Sequence, residues 1–262
     1  MIKYKLPLLA VLLAVAITTT MDFTGYLVYS ALPLLVIIII FWLIQRQSKA
    51  EIGLKFSALK YYGIALLYPA IVLSLSAVSA YLYGDFSIEG IDWTKIIKNI
   101  GISSIVGTIM VLITEEGFFR GWLWGSFRKA GLNTTKTLFV TSALFTIWHI
   151  SAVTSGTEYG LPLNQVPIYL INATLLGLIW GLLRIISGSV IVPALCHAVW
   201  NSFTYEFFGF GEKVGSLGIS NTIFFGPEVG YLGIVLNGAF FLWLWNKAKR
   251  HKNLQLNEST KA

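Results

Sequence analysis

Apolar residues in this chain come in long unbroken blocks separated by short polar links. Helical runs of roughly 17–22 apolar residues match the thickness of a bilayer. Such runs fall near 6–20, 26–44, 61–83, 100–120, 137–152, 166–184, 188–208 and 229–246. The pattern predicts an all-α, polytopic transmembrane helical bundle of about eight spans. It lacks the alternation, ~10 residues per strand, that marks a membrane β-barrel. No internal repeat or soluble domain interrupts it, so residues 1–246 read as a single transmembrane domain and 247–262 as a basic tail.

Composition agrees. Of 262 residues, 56% are hydrophobic and 12% charged, with a mean hydropathy of +0.73; a soluble domain carries about 25% charged residues. The net charge of +7 does not point to nucleic acid, because the basic residues sit in particular links. Arg46, Lys49, Lys55 and Lys60 share one, Arg128, Lys129 and Lys136 another, and Arg184 a third. Lys and Arg gather in cytoplasmic loops. These links and both termini are therefore expected on the inner side of a cell membrane. The links with Asp85, Glu89 and Asp92, with Glu158, and with Glu206, Glu212 and Glu228 are expected outside. His251 falls in the tail, as a solvated residue. Lys3 and Lys5 before LPLLAVLLAVA also have the form of a signal peptide, with Ala14-Val15-Ala16 as its cleavage site. Either reading leaves the tail inside. The lone Cys196 excludes an internal disulfide framework.

Against this background a few polar side chains stand inside apolar spans. They are Glu115, Glu116 and Arg120 in ITEEGFFRG, His149 in LFTIWHI, and His197 and Asn201 in ALCHAVWN. Ionisable groups at such positions are costly and mark function by default. Glu116 and Arg120 are four apart on one helical face and should neutralise each other, a supporting role. Glu115 points about 100° away and is the freer carboxylate, suited to general base catalysis. His149 is its expected companion. His197 and Asn201, again four apart, offer N–H donors for an oxyanion. The bland alternatives are a silent buried ion network, a packing histidine, and an interhelical polar clamp of about 1 kcal/mol.

A depth argument favours convergence. Arg128 follows Glu115, and Lys136 and Arg184 precede His149 and His197, each by 13 positions. At ~1.5 Å per residue this sets each group roughly 20 Å from its basic marker, so all three should share one level. Gly117, Gly121 and Gly125, and Gly177 and Gly181, recur at the spacing that lets helices approach closely.

Several familiar chemistries are missing. No H-E-x-x-H, G-x-S-x-G or Gly-rich phosphate loop occurs. Cys196 and His197 are helical neighbours that diverge by about 100°, which disfavours a Cys–His dyad. Water activated by Glu115 and His149 remains, or a metal such as Zn²⁺ held by Glu115, His149 and His197. A proton-coupled transporter and a catalytically silent membrane scaffold are the competing readings.

The ordered set Glu115-Glu116-x-x-x-Arg120, Phe145-x-x-x-His149 and His197-x-x-x-Asn201 resembles the CPBP intramembrane proteases. These are the type II CAAX prenyl endopeptidases and their bacteriocin-processing and self-immunity relatives. The resemblance implies an eight-helix fold with a cavity open to the cytosol. It implies that Glu115 and His149 position and deprotonate water, that His197 and Asn201 form the oxyanion site, and that Glu116 and Arg120 brace it. It implies a lipidated-protein or peptide-precursor substrate. The family has been described both with and without a metal; the poor affinity of asparagine for Zn²⁺ favours a cofactor-free site here.

Overall fold

The computed structural model describes residues 4–156, 159–211 and 213–259, with side chains as far as Arg250. Glu158, Glu212 and the His251 side chain lie outside the described residues.

The chain folds as a helical bundle. Its elements are α1 (Lys5–Phe23), α2 (Leu32–Gln45), α3 (Lys49–Ile52), α4 (Leu59–Tyr83), α5 (Trp93–Ile113), a π-helical segment (Gly117–Trp122), α6 (Leu123–Lys129), α7 (Thr134–Thr154), α8 (Val166–Ser187), α9 (Ile191–Phe207), α10 (Thr222–Phe225) and α11 (Tyr231–Ser259). A two-stranded antiparallel hairpin, β1 (Gly209–Phe210) and β2 (Lys213–Val214), follows α9. Helix ends obey local chemistry. The Asp92 and Asn133 side chains accept from Lys95 N–H and Lys136 N–H and start α5 and α7. Gly84 and Gly188, both at positive φ, stop α4 and α8.

Among the described residues, six segments are long and apolar enough to cross a membrane: Lys5–Phe23, Leu27–Gln45, Leu59–Tyr83, Trp93–Ile113, Thr134–Thr154 and Val166–Ser187. The expected seventh span is the 17-residue α9, and the expected eighth is the first part of α11, whose later turns carry Lys247, Lys249 and Arg250. The fourth span ends at Ile113 rather than at 120, because the helix breaks at Thr114. Exposed Leu12, Ile39, Leu43, Leu67, Ile105 and Val235 form the apolar exterior that lipid requires.

α8 is the hub and is mostly buried, whereas α5 is peripheral and largely exposed. α8 packs against α7, α9 and α11, and α5 lies along α9. The core is aromatic, with Trp122, Trp180, Trp200, Tyr68, Phe118 and Phe119 fully enclosed. α1 is an integral member: the Trp148 indole N–H donates to the Thr18 hydroxyl at 2.8 Å, and the Ser151 hydroxyl to buried Asp22 at 2.6 Å.

The basic links gather at one end of the bundle. There Lys129 Nζ donates to the Gln45 carbonyl, Ser57 to that of Ser187, and Lys60 and Lys247 flank one hollow. The other end is tied by Asp85, which accepts from the Ser220 hydroxyl at 2.7 Å, Ser220 N–H at 3.0 Å and Asn221 N–H at 2.8 Å. Burial pushes the Asp85 pKa up, but these three donors outweigh it and hold the carboxyl below the usual aspartate range. A depressed carboxyl stabilises the fold above its unfolded pKa and loses that contribution as pH falls. Asp85→Asn should therefore lower the melting temperature at neutral pH, and the gap to wild type should close below about pH 4 in a detergent-solubilised thermal melt.

Candidate active site

The site begins where α5 stops being an α-helix. Thr114 takes φ −114° and ψ −97°, and the chain resumes through Glu115 and Glu116 into the π-helical Gly117–Trp122. Insertions of this kind recur at functional sites. They re-aim side chains, and here two carboxylates turn toward α7 and α9. Gly117 permits the break, because a Cβ there would overlap the Leu112 carbonyl. Arg184 supports it from α8, with Nε donating to the Arg120 carbonyl at 3.2 Å and Nη2 to that of Glu51 at 3.3 Å.

Glu116 and Arg120 are both fully buried and pair at 2.9 Å. Arg120 Nη2 also donates to the Gly177 carbonyl at 3.0 Å, and its guanidinium lies 4.3 Å over the Phe145 ring. A Cβ at residue 177 would meet Arg120 Nη2 at 3.1 Å and the Ser142 Cβ at 3.2 Å. The glycine spacing on α8 thus seats the guanidinium as well as a neighbouring helix. Glu116 Oε1 further accepts from His197 Nδ1 at 3.1 Å, while that ring stacks on Trp180 at 3.8 Å. The pair therefore braces a histidine as well as itself.

Glu115 is different. Its Oε2 has no hydrogen-bond partner and stands 3.7 Å from His149 Nε2 and 3.9 Å from His197 Nε2. His149 Nδ1 lies 2.9 Å from the Phe145 carbonyl. A carbonyl only accepts, so Nδ1 carries the proton, and a neutral ring turns its Nε2 lone pair toward Glu115. Both separations exceed a direct hydrogen bond and suit one small polar molecule held between the groups.

Glu115, His149 and Asn201 line a cavity of about 370 Å³. His197 does not; it is 3% exposed and reaches Glu115 from behind. The two expected donors are thus divided, Asn201 on the wall and His197 beneath it. Cys196 is fully buried and outside the cavity lining. The three groups matched by depth do meet, although Arg184 is buried and bonded rather than a cation reaching for water.

Other wall residues carried no expectation. Tyr169, Tyr205 and Glu228 line the cavity, and Glu228 accepts from the Trp200 indole N–H at 2.5 Å. The Glu228 loop is anchored by a buried chain: the Tyr68 hydroxyl donates to Asn237, which donates to Asn172 and to the Pro227 carbonyl. Asn172 and Asn237 interrupt apolar spans just as the histidines do, so the same signal was there to find.

The cavity opens at the end tied by Asp85. Its rim is formed by Val28 before α2, Leu161 between α7 and α8, and Lys213 and Val214 of the hairpin. The start of α1, the last described turns of α11 and the basic links occupy the opposite end. The mouth of the cavity and the basic links therefore lie at opposite ends of the bundle.

The donor types around Glu115 would suit Zn²⁺, and each Nδ1 is held as in metal-bound histidines. The spacing does not suit it. Ligand atoms on tetrahedral zinc lie about 3.3–3.4 Å apart, closer than Glu115 to either imidazole, and among the described residues no three such side chains have metal-site spacing.

No curated protein and no solved structure matches the chain. Residues 98–203 match the model of the type II CAAX prenyl endopeptidase Rce1-like family. That stretch carries Glu115, Glu116, Arg120, His149, His197 and Asn201, and leaves out Glu228. The segment that builds this site is therefore similar to the Rce1-like type II CAAX prenyl endopeptidase family.

Proposed function

We propose that the protein is an intramembrane endopeptidase that hydrolyses a peptide bond with water activated by Glu115 and His149. The observation that carries this reading is the unpartnered Glu115 Oε2, which faces the His149 lone pair across 3.7 Å on the wall of the cavity. A water between them donates one hydrogen to each and turns its oxygen lone pair toward a scissile carbonyl. Attack forms the new C–O bond, and the water proton passes to Glu115. The Asn201 amide N–H₂ donates to the oxyanion from the wall. Glu115 returns the proton to the leaving nitrogen as the C–N bond breaks. His197 acts as a positioning residue, fixed by Glu116 and set behind Glu115. If it is to donate from Nε2 as well, it must carry both protons, a charge that the two carboxylates would balance against Arg120. Lipidated proteins and peptide precursors are the substrate classes that the family suggests.

The test is cleavage of a candidate lipidated or precursor peptide by purified protein, beside Glu115→Ala and His149→Ala. Undiminished cleavage in both variants would overturn the mechanism. A strong chelator should leave the wild-type rate unchanged. Loss of activity that Zn²⁺ restores would replace the metal-free route with a metal held by Glu115, His149 and His197.

A further inference from the structure

We infer that the cavity is entered from the extracytoplasmic side, so that its substrate is a chain segment already carried across the membrane. The cleavage half of this statement rests on the protease reading; the orientation half does not.

Two independent facts support this. The first is geometric: every segment of the rim is a connection at the end where α1, α4, α7 and α9 finish. The second is electrostatic. Cationic side chains crowd the other end, in the links α2–α4 and α6–α7 and in the last described turns of α11. At the rim end the described cations are only Lys95, Lys98 and Lys213, among Asp22, Asp85, Glu89, Asp92 and Glu206. Lys and Arg in short links decide orientation, and acidic residues contribute little. The links here are short, so the asymmetry places the basic end in the cytoplasm and the rim outside.

A consequence concerns substrate class. A peptide bond reaches Glu115 through the rim, past Val28 and Val214, which are 68% and 60% exposed. A prenylated carboxy terminus that remains in the cytosol meets the closed end of the bundle, where Gln47 bonds Ser126 and Arg184 bonds Glu51. An exported peptide, or a membrane-anchored chain with its cleavage site in the outer half of the bilayer, reaches the open one.

Cysteine labelling tests this. Cys196 is fully buried and serves as the unlabelled background. Val214→Cys at the rim, Glu89→Cys in the neighbouring link and Lys136→Cys at the basic end all place a thiol at an exposed position. With a membrane-impermeant maleimide, the first two should label equally in intact and permeabilised cells. Lys136→Cys should label more than about tenfold better after permeabilisation. Two rim-end sites guard against one variant failing to fold. The reverse pattern, or labelling of both ends in intact cells, overturns the inference. Labelling needs no catalysis: absence of Glu115-dependent cleavage would sink the protease reading and leave the orientation standing.

Discussion

Glu115→Gln is expected to lower peptide-bond cleavage by about 10²–10⁴-fold, the usual worth of a positioned general base, while the folded protein melts within about 1 kcal/mol of wild type. The asymmetry follows from how Glu115 is held. Its Oε2 makes no hydrogen bond, and its side chain keeps 14% exposure on the cavity wall. Glutamine has the same shape and costs the fold little, but an amide cannot take a proton from water. His149→Ala should fall in the same range, because the Nε2 acceptor disappears while α7 stays packed through Phe145 and Trp148. Asn201→Ala should cost about 10²–10³-fold in kcat, as loss of one oxyanion donor does. The measurement is kcat and KM for each variant with a thermal melt beside it. An active, stable Glu115→Gln enzyme would remove general base catalysis from the proposal.

Much of this site was legible in the sequence because a bilayer makes polar residues conspicuous. Glu115, His149 and His197 each break an apolar run, and their common distance from basic markers implied one depth. The Glu116–Arg120 pair followed from helical spacing alone and is present at 2.9 Å. What spacing could not convey was direction. A π-helical turn changes where successive side chains point, so nothing in ITEEGFFRG showed that Glu116 would reach His197 as well as Arg120. Nor did it show that His197 would sit behind the wall and Asn201 on it. Glu228 reads as a loop residue until the Asn172–Asn237 chain folds its loop inward. The cavity mouth was least legible of all. It depends on which connections leave space between them, and hydropathy carries no record of that.

Arg120→Met should be the most destabilising single change at the site, by about 3–5 kcal/mol, because it strands the Glu116 carboxylate in a buried setting. The cation is held on three sides, by Glu116, by the Gly177 carbonyl and by the Phe145 face. Lysine is a poor substitute, since a single ammonium cannot reproduce the planar fork that reaches Glu116 and Gly177 together. The double variant Glu116→Leu with Arg120→Met removes both charges and should recover much of the lost stability. It should not recover activity. His197 Nδ1 would lose its acceptor, the ring would be free to turn, and Glu115 would lose the group set behind it. Thermal melts of the singles and the double, with cleavage assayed below the lowest transition, separate the two roles. Stability restored together with full activity would reduce the pair to a packing device. Stability restored without activity would make it the support through which the π-helical segment, α8 and α9 hold Glu115 in register with His149.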